Sequence, residues 1–170
     1  MIFIMKKFFY FLVAIILTTN AYALQLSSSA FSNHEMIPRK YTCEGQGVSP
    51  DLFWENIPGD TKSFTLILED PGAPTGTWTH WILVNIPPTI HSLKENISKL
   101  PQGTIIGVNS WLQKKYGAPC PPSGKHPYIF KLYALDTALD SNQSYSREKL
   151  LAAIQDHVLD SAQLIGYDEK

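Results

Sequence analysis

The chain has 170 residues, is 44% hydrophobic and 12% aromatic, and carries a formal net charge of −1 with no long basic run. Length and apolar content suit one domain with a buried core. The charge excludes nucleic-acid binding through a basic face, and twelve prolines with ten glycines point to short strands joined by turns.

Residues 1–23 read as a secretory leader. Lys6-Lys7 precede an apolar run from Phe8 to Leu17, and Ala21-Tyr22-Ala23 forms a small-x-small cleavage site. The run is short for a membrane span, and no cysteine follows it to take a lipid. The expectation is a periplasmic or secreted domain of residues 24–170 with no integral span.

Residues 24–50 form a polar, turn-rich arm with Phe31, Ile37 and Tyr41 as loose apolar anchors, and Gly45, Gly47 and Ser49-Pro50 mark a loop. Leu52–Trp54 is a short strand ended by the turn Ile57-Pro-Gly-Asp60. Ser63–Glu69 is a strand, and Asp70-Pro-Gly-Ala-Pro74 a constrained loop because two prolines fix φ. Trp78–Ile86 is the next strand, stopped by Pro87-Pro88. A long connection over 89–103 leads to a short strand at Thr104–Val108, a rigid loop at Gly117–Gly124 and a strand at Tyr128–Leu135. Ser146 is placed to cap a helix carrying Leu150, Leu151, Ile154 and Val158 at helical spacing. Gln163–Tyr167 reads as a last strand. The fold class is therefore mainly β: two packed antiparallel sheets with a C-terminal helix.

Strand side chains alternate faces. Asp70 falls in the row of Phe64, Leu66 and Leu68; His80 in that of Trp78, Ile82 and Val84; His126 and Tyr128 in that of Phe130 and Leu132. Titratable groups on core-facing rows are costly to bury without partners, so these four are expected to meet at one small pocket with apolar walls. An anion beside His80 favours its charged form, and Asp70 is the expected partner. Each group also has a bland reading: an Asp-Pro turn, a satisfied core histidine, a tyrosine closing the core. Lys125 reads as solvated. Cys43 and Cys120 in an exported chain are the material for one disulfide, the alternative being two separate buried thiols; neither has the spacing of a metal ligand.

At these residues the chain resembles the phosphatidylethanolamine-binding protein family, in its bacterial Raf-kinase-inhibitor-like branch. The resemblance runs over Tyr41-Thr-Cys-Glu-Gly45, Ser49-Pro-Asp-Leu-Phe-Trp54, Asp70-Pro-Gly-Ala-Pro74, Trp78-Thr-His80-Trp81, Tyr116–Gly124, His126-Pro-Tyr128 and Leu132–Leu135. It implies a binding protein with no settled catalytic activity, no cofactor and no metal. It also implies a pocket for phosphate-type anions or phospholipid head groups, and a protein target such as a kinase or protease. Asp70, His80, His126 and Tyr128 would line that pocket, Trp78 and Pro121-Pro122 would wall it, and the Gly117-Ala118 backbone would lie near the ligand. Two positions depart from the family pattern: Gly72 stands where a second acid is frequent, and Pro127 where an arginine is. The alternatives are a hydrolase with an Asp70/His80 acid–base pair and Ser123 as nucleophile, which lacks a Gly-x-Ser-x-Gly signal, an interaction protein acting through its surface with a vestigial pocket, and a metal site from Asp70, His80 and His126.

Overall fold

The computed structural model describes residues 22–170; the leader reading, except for its last two positions, lies outside the described residues. Nine strands follow in chain order: β1 (Gln25–Ser27), β2 (Glu35–Met36), β3 (Leu52–Glu55), β4 (Ser63–Asp70), β5 (Trp78–Ile86), β6 (Ser92–Leu93), β7 (Ile105–Ile106), β8 (Lys125–Leu135) and β9 (Val158–Glu169), with the single α-helix of the described residues, α1 (Arg147–Ile154), before β9. They form a three-stranded sheet, β1-β3-β6, and a six-stranded sheet, β2-β9-β8-β4-β5-β7. All pairings are antiparallel except that of two-residue β2 with β9. The expected mainly-β fold of two sheets and a late helix is the one observed.

The large sheet is buried on both faces in its centre, and β4 is buried at all eight positions. Phe64, Leu66 and Leu68 face the small sheet and pack with Leu52, Trp54 and Leu93. Trp54 meets Phe64 edge to face at 5.5 Å. Ile67 faces the other way, with Ile82 and Val84, onto Leu150 and Ile154 of α1. Simple alternation had put Ile82 and Val84 in the row of the polar site. A β-bulge separates them from it: Leu68 pairs with Trp81 and Glu69 with Thr79, so His80 is the extra residue and the row changes face there.

The C-terminal elements differ from their sequence reading in extent. Ser146 caps α1, its Oγ accepting from the Lys149 N–H at 3.4 Å, but the helix ends at Ile154 and Val158 already opens β9. β9 runs for twelve residues rather than five because β8 templates it along its whole length. The N-terminal arm packs on it. A Cβ at Gly166 would come within 2.4 Å of Ile37 and 2.7 Å of Phe31, so only glycine admits these anchors. β8 also begins three residues earlier than expected; Pro127 is tolerated because it lies beyond the last β4 pairing, Glu69 with Ile129, where β8 has only β9 beside it.

Cys43 and Cys120 form a disulfide with Cα atoms 5.3 Å apart, closing a separation of 77 residues. It pins the arm to the 117–124 loop, and the Cys43 N–H reinforces it by donating to the Pro119 carbonyl at 2.9 Å. Among the described residues no helix is long and apolar enough to cross a membrane. Replacing both cysteines by serine is expected to lower stability by about 2–5 kcal/mol, read as a lower urea midpoint; an unchanged midpoint would refute a structural role for the bridge.

Candidate functional site

Asp70 ends β4 with its side chain towards the inter-sheet face, paired with Trp78 across the hairpin. It is 3% exposed, so its oxygens need protein donors. Oδ1 accepts from the Gly72 N–H at 2.8 Å, a contact that the Pro71–Gly72 turn makes. Oδ2 accepts from His126 Nδ1 at 2.8 Å. The carboxylate thus belongs to His126, and not to His80 as the sequence reading paired it. Gly72 suits the place: a Cβ there would stand 3.3 Å from Asp70 Oδ1, 3.4 Å from Pro127 Cδ and 3.5 Å from His126 Cγ. The two positions that depart from the family pattern, 72 and 127, are therefore neighbours in space.

His80, released from strand pairing by the bulge, is clasped by Gly117. The His80 carbonyl accepts from the Gly117 N–H at 3.0 Å, and His80 Nδ1 lies 3.0 Å from the Gly117 carbonyl. A carbonyl only accepts, so Nδ1 carries the proton and the neutral ring leaves Nε2 as an acceptor. Burial pushes the His80 pKa below its ordinary 6.5, against the opposing pull of the Gly117 carbonyl, the Asp70 charge and the Ala118 carbonyl. The ring is boxed edge to face by Tyr128 at 5.2 Å and Trp111 at 5.0 Å. The Tyr128 hydroxyl accepts from the Cys120 N–H at 3.1 Å. Burial raises its pKa, assisted by the Asp70 charge, so it stays a neutral phenol.

Asp70 and His80 line one cavity of about 210 Å³, together with Trp78, Trp111, Cys120 and Pro122, and with the 73–75 segment as its further wall. Gly117 and Ala118 line an adjoining cavity of about 340 Å³ that shares Trp111 and Cys120 with the first. His126 stands behind Asp70 and Tyr128 lies beneath His80, both buried and off the cavity wall; Pro121 is buried and off both cavities. All four titratable groups therefore cluster, two at the surface of the cavity and two supporting them. Ser123 is exposed and does not line it, and Asp70 is bonded away from His80, so the acid–base pair with a serine nucleophile is not assembled. Among the described residues no group of three His, Cys, Asp or Glu is placed to hold a metal ion.

Sequence reasoning missed Trp111. It packs edge to face on Trp78 at 5.4 Å as well as on His80. Buried Asn109 holds its loop, Oδ1 accepting from the N–H groups of Trp111 at 3.1 Å and Gln113 at 3.0 Å. The available signal was a lone Trp-Leu pair in the polar stretch 109–115.

A sequence model described as phosphatidylethanolamine-binding protein matches residues 27–168. A UPF0098 protein of Methanothermobacter thermautotrophicus is 47% identical over 84% of this chain and 97% of its own, and one from Chlamydia muridarum 40% identical over 86% and 99%. The crystal structure of a phosphatidylethanolamine-binding protein homologue from Chlamydia trachomatis superposes with a TM-score of 0.82 at 40% identity, covering 87% of this chain and 98% of that one. E. coli YbcL, described as a member of the mammalian family of that name, gives 0.82 at 30% identity, covering 88% and 99%.

His126→Ala leaves the Asp70 carboxylate buried with one donor fewer. The expected loss is about 2–3 kcal/mol, seen as a lower urea midpoint at unchanged slope; full retention of stability would mean the pair contributes nothing.

Proposed function

The chain belongs to the phosphatidylethanolamine-binding protein family, and on that premise we propose that the Asp70/His80 cavity binds one phosphate-type anion or phospholipid head group in an exported protein. Within the family the chain is a binding protein of the UPF0098 type. The observation that carries the reading is a carboxylate and an imidazole on the wall of one tryptophan-lined cavity of about 210 Å³, the usual build of a small-ligand site.

The chemistry is specific about protons. Neutral His80 offers Nε2 only as an acceptor, and an oxyanion needs a donor there. Binding therefore takes up a proton at His80, converting the contact into a charge-assisted hydrogen bond. Asp70 beside it disfavours a bare dianion and suits a ligand whose phosphate is accompanied by an ammonium, such as a phosphoethanolamine head group. Export to the periplasm or beyond is supported by the Lys6-Lys7, Phe8–Leu17 and Ala21–Ala23 pattern. The cavity's occupant would then be met outside the cytoplasm, where a protein target, a kinase or protease by family analogy, is a further proposal.

The test is titration calorimetry with glycerophosphoethanolamine, whose phosphodiester does not titrate near neutrality, and with inorganic phosphate. Because His80 titrates below 6.5 in the free protein, affinity for the diester is expected to rise about tenfold as pH falls from 8 towards 5.5, the worth of a charge-assisted over a neutral hydrogen bond. His80→Ala should flatten that dependence. Equal binding by wild type and His80→Ala, or tighter binding at higher pH, would remove the site.

A further inference from the structure

Glu69 precedes Asp70 in β4, so its side chain points to the opposite face of the sheet. It too is 3% exposed. There it accepts from Arg147 Nε at 2.8 Å and from Lys131 Nζ. Burial pushes the Glu69 pKa up, but the hydrogen bonds and charges of Arg147 and Lys131 outweigh that and hold it below the usual carboxylate range. One buried carboxylate between two cations leaves a local excess of positive charge. Only Nε of Arg147 is used in this pairing; its two Nη groups have no partner among the described residues.

Arg147 lines a separate cavity of about 180 Å³ with Thr77, Thr79, Ser110, Ser146 and Glu148. Thr79 pairs with Glu69 across the hairpin and so shares its face. Its backbone is fully used: the N–H donates to Ser110 Oγ at 2.8 Å and the carbonyl accepts from the Ser110 N–H at 2.9 Å. Its hydroxyl, on a residue 3% exposed, has no partner among the described residues. Ser110 Oγ accepts from Thr79 and keeps its own proton to give. The residues lining the cavity thus carry two guanidinium NH2 groups and the hydroxyls of Thr79 and Ser110, donors left over after the fold has taken what it needs. Glu148, next to Arg147 in the first turn of α1, also lines the cavity; its Oε2 accepts from the Ser146 hydroxyl at 3.0 Å and its Oε1 has no partner among the described residues.

We propose that this cavity is a second ligand site, back to back with the first, which takes a small amino acid: its carboxylate on Arg147, Thr79 and Ser110, its ammonium against Glu148. Bidentate geometry explains why an arginine is suited to the place, since a guanidinium fork matches a carboxylate while its Nε holds Glu69. A cavity of about 180 Å³ has room for a ligand of the size of glycine or alanine. This site does not depend on the reading of the first one.

The experiment is a titration of the isotope-labelled protein with glycine, acetate and ethylammonium, followed by amide chemical shifts. Glycine is expected to give saturable shifts at residues 79, 110, 147 and 148, at lower concentration than acetate, with ethylammonium giving none. Arg147→Lys keeps a cation for Glu69 but loses the fork, and Thr79→Val keeps shape but loses the hydroxyl; each should weaken glycine about fivefold, while the amide shifts of the free protein away from this cavity stay as in wild type. Glu148→Gln should erase the preference of glycine over acetate. Absence of saturable shifts at these amides, equal response to glycine and acetate in wild type, or binding unaffected by both Arg147→Lys and Thr79→Val would overturn the proposal.

Discussion

Two adjacent carboxylates at the end of the central strand cannot both be left in a core without cationic or N–H donors, and this constraint organises the molecule. Glu69 and Asp70 are each 3% exposed and, by strand geometry, face opposite ways. Stripping a carboxylate of water costs several kcal/mol unless donors replace it. On one face His126 and the Gly72 amide serve Asp70; on the other Arg147 and Lys131 serve Glu69. Apart from the local Gly72 amide, those partners come from later in the chain: β8 supplies His126 and Lys131, and the first residue of α1 supplies Arg147. These pairs therefore lock both the β4–β8 register and the seat of the helix. The cavity lined by Asp70 and His80 and the one lined by Arg147 and Thr79 open beside these pairs.

The bulge at His80 is the second device. A regular β5 would send His80 to the helix face with Ile82 and Val84. The inserted residue turns it instead against Tyr128, at 5.2 Å, and frees its carbonyl for the Gly117 amide. A Cβ on Gly117 would stand 3.2 Å from that carbonyl and 2.5 Å from the Trp111 ring, so the clasp needs glycine at this point. Position, tautomer and depressed basicity of the imidazole all follow from this one irregularity.

What the sequence made legible was what rests on composition and short-range pattern. β4 and β5 carry the apolar runs Leu66–Leu68 and Trp81–Val84, the 126–132 row alternates cleanly, and Ser146 marks the helix start. The meeting of Asp70, His80, His126 and Tyr128 was also legible, though His80 reached the site through a bulge that period-two reasoning cannot see. What was not legible depends on distant chain. Asp70 chose His126 over His80 because β8, not β5, presents a ring nitrogen to it. β9 gains its length from β8, since Asp160, Ser161, Asp168 and Glu169 interrupt its own apolar pattern. Trp111 is a site wall because Asn109 folds its loop over Trp78, and the local sequence there reads as solvated. The cysteine pairing needed only the presence of two cysteines; that it braces the cavity rim needed coordinates.

That brace has one more consequence. Cys120 is at once a wall of both adjoining cavities, the donor to the Tyr128 hydroxyl and one end of the bridge to Cys43, and both cysteines are solvent-exposed. An accessible disulfide is open to thiolate attack. Reductants would reach it without unfolding the domain, and cleavage would untie the 117–124 loop that clasps His80. The 117–124 loop thus has its covalent brace only while its surroundings are oxidising, and without it the loop rests on hydrogen bonds such as those to His80, Cys43 and Tyr128.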